Sequence, residues 1–145
     1  MTHPKDLLEG LVISFSYEEA DAVFRLVSEV PFASMKGSRV FAELKCKEVE
    51  SFVRRTPDPR WAKYHSSFSA RELRAAFVLQ SISEKQDAGA CVFDIDFGPN
   101  LGGVEVRCNS YDLLTREATA EQRCSDWEYR DSQTGEVVDF YSPFR

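Results

Sequence analysis

Histidine is nearly absent from this sequence. Of 145 residues only His3 and His65 carry an imidazole. Imidazole is the side chain whose ordinary titration lies closest to neutral pH. Since His3 sits in a stretch expected to fray, base catalysis by imidazole is confined to His65. A Ser-His-acid or Cys-His set using it would have to meet in space, and no nucleophile-elbow motif accompanies it. A lone loop histidine is more often a surface residue, so no catalytic residue is assigned and the enzyme reading is disfavoured.

Other absences narrow the field further. The four cysteines, Cys46, Cys91, Cys108 and Cys124, contain no CxxC pair. Zinc sets use closer pairs and disulfide frameworks need an oxidising compartment, so buried free thiols are expected, with no metal and no cofactor. No apolar run approaches a membrane span, and MTHPKDLLEG lacks the basic and apolar regions of a signal peptide. A soluble cytoplasmic protein without a membrane partner is the expectation. The glycine-rich stretch FGPNLGG has no following GK[ST] and joins two strand patterns, whereas phosphate loops need a helix N-terminus aimed at the anion.

What is present is a core and an uneven charge. At 43% hydrophobic, with eleven phenylalanines, the chain can bury the interior of one domain spanning residues 1–145. Its net charge of −6 disfavours nucleic acid as the main partner. Residues 105–139 carry nine acids (Glu105, Asp112, Glu117, Glu121, Asp126, Glu128, Asp131, Glu136, Asp139) against Arg107, Arg116, Arg123 and Arg130. Such a segment can steer a basic partner protein.

The clearest local pattern is CVFDIDFGPNLGGVEVRC, residues 91–108. Cys91, Phe93, Ile95 and Phe97 alternate with polar residues, and Val104, Val106 and Cys108 alternate after the turn, which is the period of a half-buried hairpin. A two-residue loop of Pro99 and Asn100 needs positive φ, which proline cannot adopt. A four-residue loop from Pro99 to Gly102 is therefore expected. It sets Phe97 opposite Val104, Ile95 opposite Val106 and Phe93 opposite Cys108. Asp94 then faces Arg107 and Asp96 faces Glu105, and in the alternative register Cys91 would face Cys108. Asp94, Asp96 and Glu105 form the one acidic trio that sequence places together, and a hard cation needs more oxygens than this.

Elsewhere, Leu11, Ile13, Phe15 and Tyr17 and then Phe24, Leu26 and Val30 predict a first hairpin. After a loop through Met35, Lys36, Gly37 and Ser38, the residues Val40, Ala42, Leu44 and Cys46 predict a third strand. Val49, Phe52 and Val53 continue it after a bulge or begin a helical turn. Residues 56–69 read as a long loop whose Trp61, Tyr64, His65 and Phe68 either pack on the sheet or face a partner. Within its approach, RRTPDPR (54–60) is a small basic cluster. Ser69 to Glu72 matches a capping box, starting a helix buried through Leu73, Ala76 and Phe77, although AAFVLQSIS also reads as a strand with Phe77 and Leu79 inward. Residues 85–89 lead into the central hairpin. Ser110 or Asp112 caps a short or irregular helix through LLTREATAEQR. WEYRDSQTGEVVDFY predicts a last hairpin around residues 132–135, with Trp127 and Tyr129 opposing Val138 and Phe140 or their neighbours.

Together these predict a strand-dominated α+β domain, an antiparallel curved sheet or small sandwich with one or two short helices. The strand rhythm of LLEGLVISFSYEEADAVFRL, RVFAELKCKEVESF and VFDIDFGPNLGGVEVRC resembles that of small uncharacterised bacterial β-rich proteins, including cytoplasmic immunity proteins that neutralise toxins. The resemblance carries no site residues. The expected function is non-enzymatic protein binding, of an immunity or inhibitor type, toward a basic partner. Its expected contact residues are Trp61, Tyr64, His65, Glu117, Glu121 and Asp126. The alternative is a small-molecule-binding or hydrolytic domain with a pocket beside Trp61, and a third reading is an oligomer joined through a strand edge.

Overall fold

The computed structural model describes residues 3–31, 37–73 and 77–144, and its ten described strands form one antiparallel sheet. Strands β1 (Leu11–Glu18) and β2 (Val23–Pro31) are the expected first hairpin. A register shift between Val12 and Ser14 interrupts β1, so that Val12 and Phe15 enter one apolar cluster while Ile13 enters another on the opposite face. Strand β3 (Ser38–Arg55) pairs with β2, and Val49 to Val53 continue it as strand, with a register shift between Val49 and Ser51. Of the loop expected before β3, Met35 and Lys36 lie outside the described residues.

The region read as a long loop is partly ordered. It holds a 3₁₀ turn (Pro59–Tyr64) and the short strand β4 (Ser67–Ser69), which pairs with β1. Ser69 does cap a helix, its Oγ accepting from the Arg71 N–H at 3.3 Å, but α1 (Ala70–Leu73) lasts only four residues. Phe77 belongs to strand β5 (Phe77–Val78), paired to β1, while Ala75 and Ala76 lie outside the described residues. Leu79 is fully buried, as the strand reading required.

Residues 85–89 are not merely a lead-in. Strand β6 (Ser81–Asp87) forms a hairpin with β7 (Ala90–Asp96), turning at Ala88 and Gly89, whose φ values are +50° and +83°. Two consecutive left-handed residues are what a tight hairpin turn needs, and Ala88 gave no sign of it because alanine is a poor occupant of that conformation.

The helix expected after Ser110 or Asp112 does not form. Strand β8 (Gly103–Arg123) runs unbroken through it, paired along nearly its whole length with β3. The reason is a change of phase. On β8 the core-facing residues are Val104, Val106 and Cys108, then Tyr111 and Leu113. On β3 they are Ala42, Leu44 and Cys46, then Val49, with Glu48 between at φ +52°. Both strands switch parity at the same place, and a phase break in one sequence mimics the end of a strand.

The last hairpin is formed by β9 (Asp126–Asp131) and β10 (Val137–Val138), with Tyr129 opposite Val138 as expected. The sheet order is β10-β9-β8-β3-β2-β1-β4, with β7 and β6 added beside β8 and β5 beside β1. The sheet curls until its margins meet. Leu79 N–H donates to Gly10 O and the next residue, Gln80, donates to Asp96 O, both at 2.9 Å. Residues 77–87 thus touch β1 at one end and β7 at the other. The curl encloses Phe15, Phe24, Phe93 and Phe97, with Phe15 and Phe97 stacked at 4.8 Å. Leu7 from the 3₁₀ turn Pro4–Leu7, and Tyr64 and Phe68, pack into the same cluster. The outer face carries the smaller cluster of Ile13, Phe41, Ala118 and Val138, covered by Tyr129, Phe140 and Phe144. A curved antiparallel sheet with short helices is therefore found, as one curled sheet in place of a two-sheet sandwich. No described helix is long and apolar enough to cross a membrane.

The central hairpin corrects the expected register. Phe93 faces Val106, Ile95 faces Val104 and Cys91 faces Cys108. The loop is nonetheless longer than two residues. Phe97 N–H donates to Gly102 O at 2.7 Å, and Gly102 N–H to Gly98 O at 2.8 Å, with Gly98 and Gly102 at φ +102° and +79°. Glycines on either side of Pro99 and Asn100 supply the positive φ, leaving proline an ordinary one. On the other face Asp94 lies opposite Glu105, not Arg107, and is answered by an ion pair with Arg55. Asp96 lies opposite Gly103, where its Oδ1 accepts from Gly98 N–H at 2.8 Å.

Candidate functional site

Pairing along the β8–β9 ribbon decides which acids share a face. Glu121 faces Glu128, and Arg123 faces Asp126. Directly paired residues point to the same side of a sheet, as do alternate residues along a strand. Glu117, Glu121 and Asp126 therefore lie on one face, together with Glu128, Arg123 and Arg130. All three expected acids are exposed. The charge is partly answered: Arg123 lies 3.5 Å from Glu121 and 3.6 Å from Glu128, and Arg130 is 2.7 Å from Glu128. Among the described residues no ion pair reaches Glu117 or Asp126. Four carboxylates against two guanidinium groups leave this face negative.

The opposite face of the ribbon is anchored. Arg116 Nε lies 2.7 Å from Asp131 Oδ2, and its Nη1 donates to Pro143 O at 2.7 Å. Asp131 Oδ1 also accepts the N–H groups of Gln133 and Thr134 at 2.8 and 2.9 Å. These donors hold the Asp131 carboxyl down at about 2, the backbone N–H of Thr134 foremost and the Arg116 guanidinium next. The turn into β10 is thereby fixed, and Val138 is held over Phe41 and Ile13. Glu29 on β2 is buried nearby with Arg39 at 3.0 Å, and burial pushes its carboxyl up against the pull of that arginine.

Sequence reasoning missed the exposed aromatic end of this ribbon. Trp127 is 53% exposed because β10 stops at Val138, before a strand residue can cover it. Val137 and Tyr141 are exposed beside it. The alternation in WEYRD placed Trp127 in the hairpin, but only the length of β10 could have exposed its ring.

The loop residues lie apart from these acids, by the β1 and β4 margin of the sheet. Tyr64 is buried and touches Phe68, so it belongs to the core. Trp61 is half-buried against Phe77 at 5.6 Å. His65 is exposed, its ring 6.3 Å from Phe52. A shallow concavity of about 420 Å³ beside Trp61 is lined also by Arg60, Lys63, Leu73 and Asn100, and His65 is not part of it. The expected six contact residues are thus split into two groups and one outlier: the three acids share the ribbon face, Trp61 and Tyr64 lie 5.8 Å apart and both line the concavity, and His65 stands outside it.

The basic cluster at 54–60 is dispersed. Arg55 pairs with Asp94 and Arg60 with Asp58 at 2.7 Å. Arg54 turns inward, lying 5.1 Å over the Phe15 ring and donating to the carbonyls of Tyr64, Arg55, Leu101 and Gly103. Burial, with Arg55 adjacent, lowers its pKa to about 10. Cys46, Cys91 and Cys108 are buried free thiols, as expected, whereas Cys124 is exposed in the ribbon turn at φ +55°. Among the described residues no group of His, Cys, Asp and Glu is arranged to hold a metal ion. Comparison of the chain with protein-family models, with curated proteins and with solved structures gives no match, so the functional reading rests on this geometry.

Proposed function

We propose that this chain is a non-enzymatic binding protein, of an inhibitor or immunity type, that engages a basic partner protein through the β8–β9 ribbon. The observation that carries the reading is the shared exposed face of Glu117, Glu121 and Asp126. Exposed like charges on one face attract an oppositely charged surface at long range and orient it before contact. A ribbon of paired strands is suited to this, because its backbone is already hydrogen-bonded before binding.

Site-specific photocrosslinking in the native cell tests the reading. A crosslinking residue at Thr119, exposed between Glu117 and Glu121, should capture one basic protein, while the same residue at Ser83 on β6 should not. Equal capture at both positions, or no adduct at Thr119, would count against it.

A second reading is favoured by the concavity beside Trp61, where Arg60 and Lys63 would suit a small anionic molecule. Arg60 is already held by Asp58, which weakens that pull. Because His65 stands outside the concavity, this reading is one of binding and not of hydrolysis.

A further inference from the structure

Past Val138 the chain departs from β9. Extending the register of Val137 with Arg130 and Val138 with Tyr129 would set Asp139 opposite Glu128 and Phe140 opposite Trp127, yet those pairs do not form. The space left between them is a concavity of about 490 Å³. Trp127, Tyr129, Phe140 and Tyr141 supply its aromatic walls, and the carboxylates of Asp126, Glu128 and Asp139 outnumber the one lining guanidinium, that of Arg123.

That combination is selective for one kind of occupant. Aromatic faces carry negative electrostatic potential and carboxylates carry full negative charge, so both attract a cation, while the rings also shield it from water. The protein's own side chains show the preference. The Arg71 guanidinium lies 5.3 Å from the Tyr141 ring centroid while its Nη2 is 2.8 Å from Asp139 Oδ2. One corner is thus already occupied by a guanidinium set over a ring and paired with a carboxylate. Trp127 remains as an indole 53% exposed, and Asp126, which precedes it on β9 and points to the other face, is a carboxylate that no ion pair reaches among the described residues.

We propose that this concavity receives an arginine side chain of the basic partner, stacked on Trp127 and held by the negative potential of the carboxylates at its rim. The proposal rests on the ribbon reading above and names the anchor within it. Arginine fits better than lysine because a planar, weakly hydrated guanidinium can lie flat on an indole.

The test uses tetra-arginine, tetra-lysine and tetra-citrulline peptides, with the two indole N–H signals of Trp61 and Trp127 followed by NMR and assigned through Trp127→Phe. Tetra-arginine should shift the Trp127 signal and leave that of Trp61 in place. Tetra-lysine should bind several-fold more weakly, and neutral tetra-citrulline should give no shift. Trp127→Ala should weaken tetra-arginine binding about fivefold or more, and Asp126→Asn should weaken it by a smaller factor. Arginine binding that leaves the Trp127 signal unmoved, or is unchanged in both variants, overturns the anchor. Absence of any tetra-arginine binding overturns it as well. The wider reading fails separately, if Glu117→Gln with Glu121→Gln leaves the association of the photocrosslinked partner unaltered.

Discussion

Cys91 stands directly opposite Cys108 across the β7–β8 ladder, and both are free thiols buried within the curl. Cys46 on β3 is also buried, and the neighbouring Cys108 thiol together with that burial pushes the Cys46 thiol well up. Thiols buried out of reach of a reagent react slowly. An aromatic disulfide reagent should therefore titrate a single thiol in the native protein, Cys124, with the remaining three appearing only in denaturant. Cys124→Ser should abolish the fast phase. Rapid native labelling of Cys91 or Cys108 would contradict this packing.

The turn of the central hairpin should tolerate substitution very unequally. A Cβ on Gly102, at φ +79°, would sit 1.8 Å from Arg55 O, so backbone must move. A Cβ on Gly98, at φ +102°, would meet nothing nearer than Gln80 Cγ at 3.8 Å. Gly98→Ala should cost about 1–2 kcal/mol from backbone strain alone. Gly102→Ala should cost more than about 4 kcal/mol or prevent folding, the range reserved for such clashes. Urea unfolding of the two variants makes the comparison.

Arg54 should be irreplaceable by lysine. Its guanidinium satisfies four carbonyls from three separate stretches of chain, and a lysine ammonium has only three donors in a different geometry. Arg54→Met leaves those carbonyls short of partners beside Phe15. A loss of about 2–4 kcal/mol is expected, with Arg54→Lys recovering little of it, both read from chemical denaturation.

Asp131 sets part of the acid limb of stability. Its native pKa of about 2 lies below the ordinary 3.8, so the unfolded chain takes up the proton first. The contribution is complete above pH 3.8 and is lost as pH falls through 2. Glu29 works in the opposite sense, since its raised pKa favours the folded state as pH falls toward 4.5. Asp131→Asn should lower Tm at pH 6 and flatten the decline of Tm between pH 4 and 2. A decline as steep as in the unaltered protein would show that Asp131 is not the group responsible.

The legible parts of this fold were those with one partner and one phase. Phe93, Ile95, Phe97, Val104 and Val106 were identified as core from alternation alone, and all are buried. The first hairpin and the last turn followed from the same period. The register is not legible from Pro99, because Gly98 and Gly102 on either side of it take the left-handed conformations. The second half of β8 was missed because Asn109 marks a phase break that makes sense only beside Glu48 of β3, more than fifty residues earlier in the chain. The acids of the candidate site were visible as a charged run. Their common face was not, because it depends on that unrecognised strand.

Association kinetics against ionic strength test the ribbon most directly. The partner captured at Thr119 should bind the unaltered protein with a rate constant that falls steeply as salt rises, as expected of a steered encounter. The triple variant Glu117→Gln, Glu121→Gln, Asp126→Asn replaces exposed side chains, so its stability should stay within about 0.5 kcal/mol. At low salt it should associate about tenfold more slowly and show a much shallower salt dependence. If the variant and the unaltered protein associate at the same rate across the salt series, the acidic face of the β8–β9 ribbon is not the binding surface.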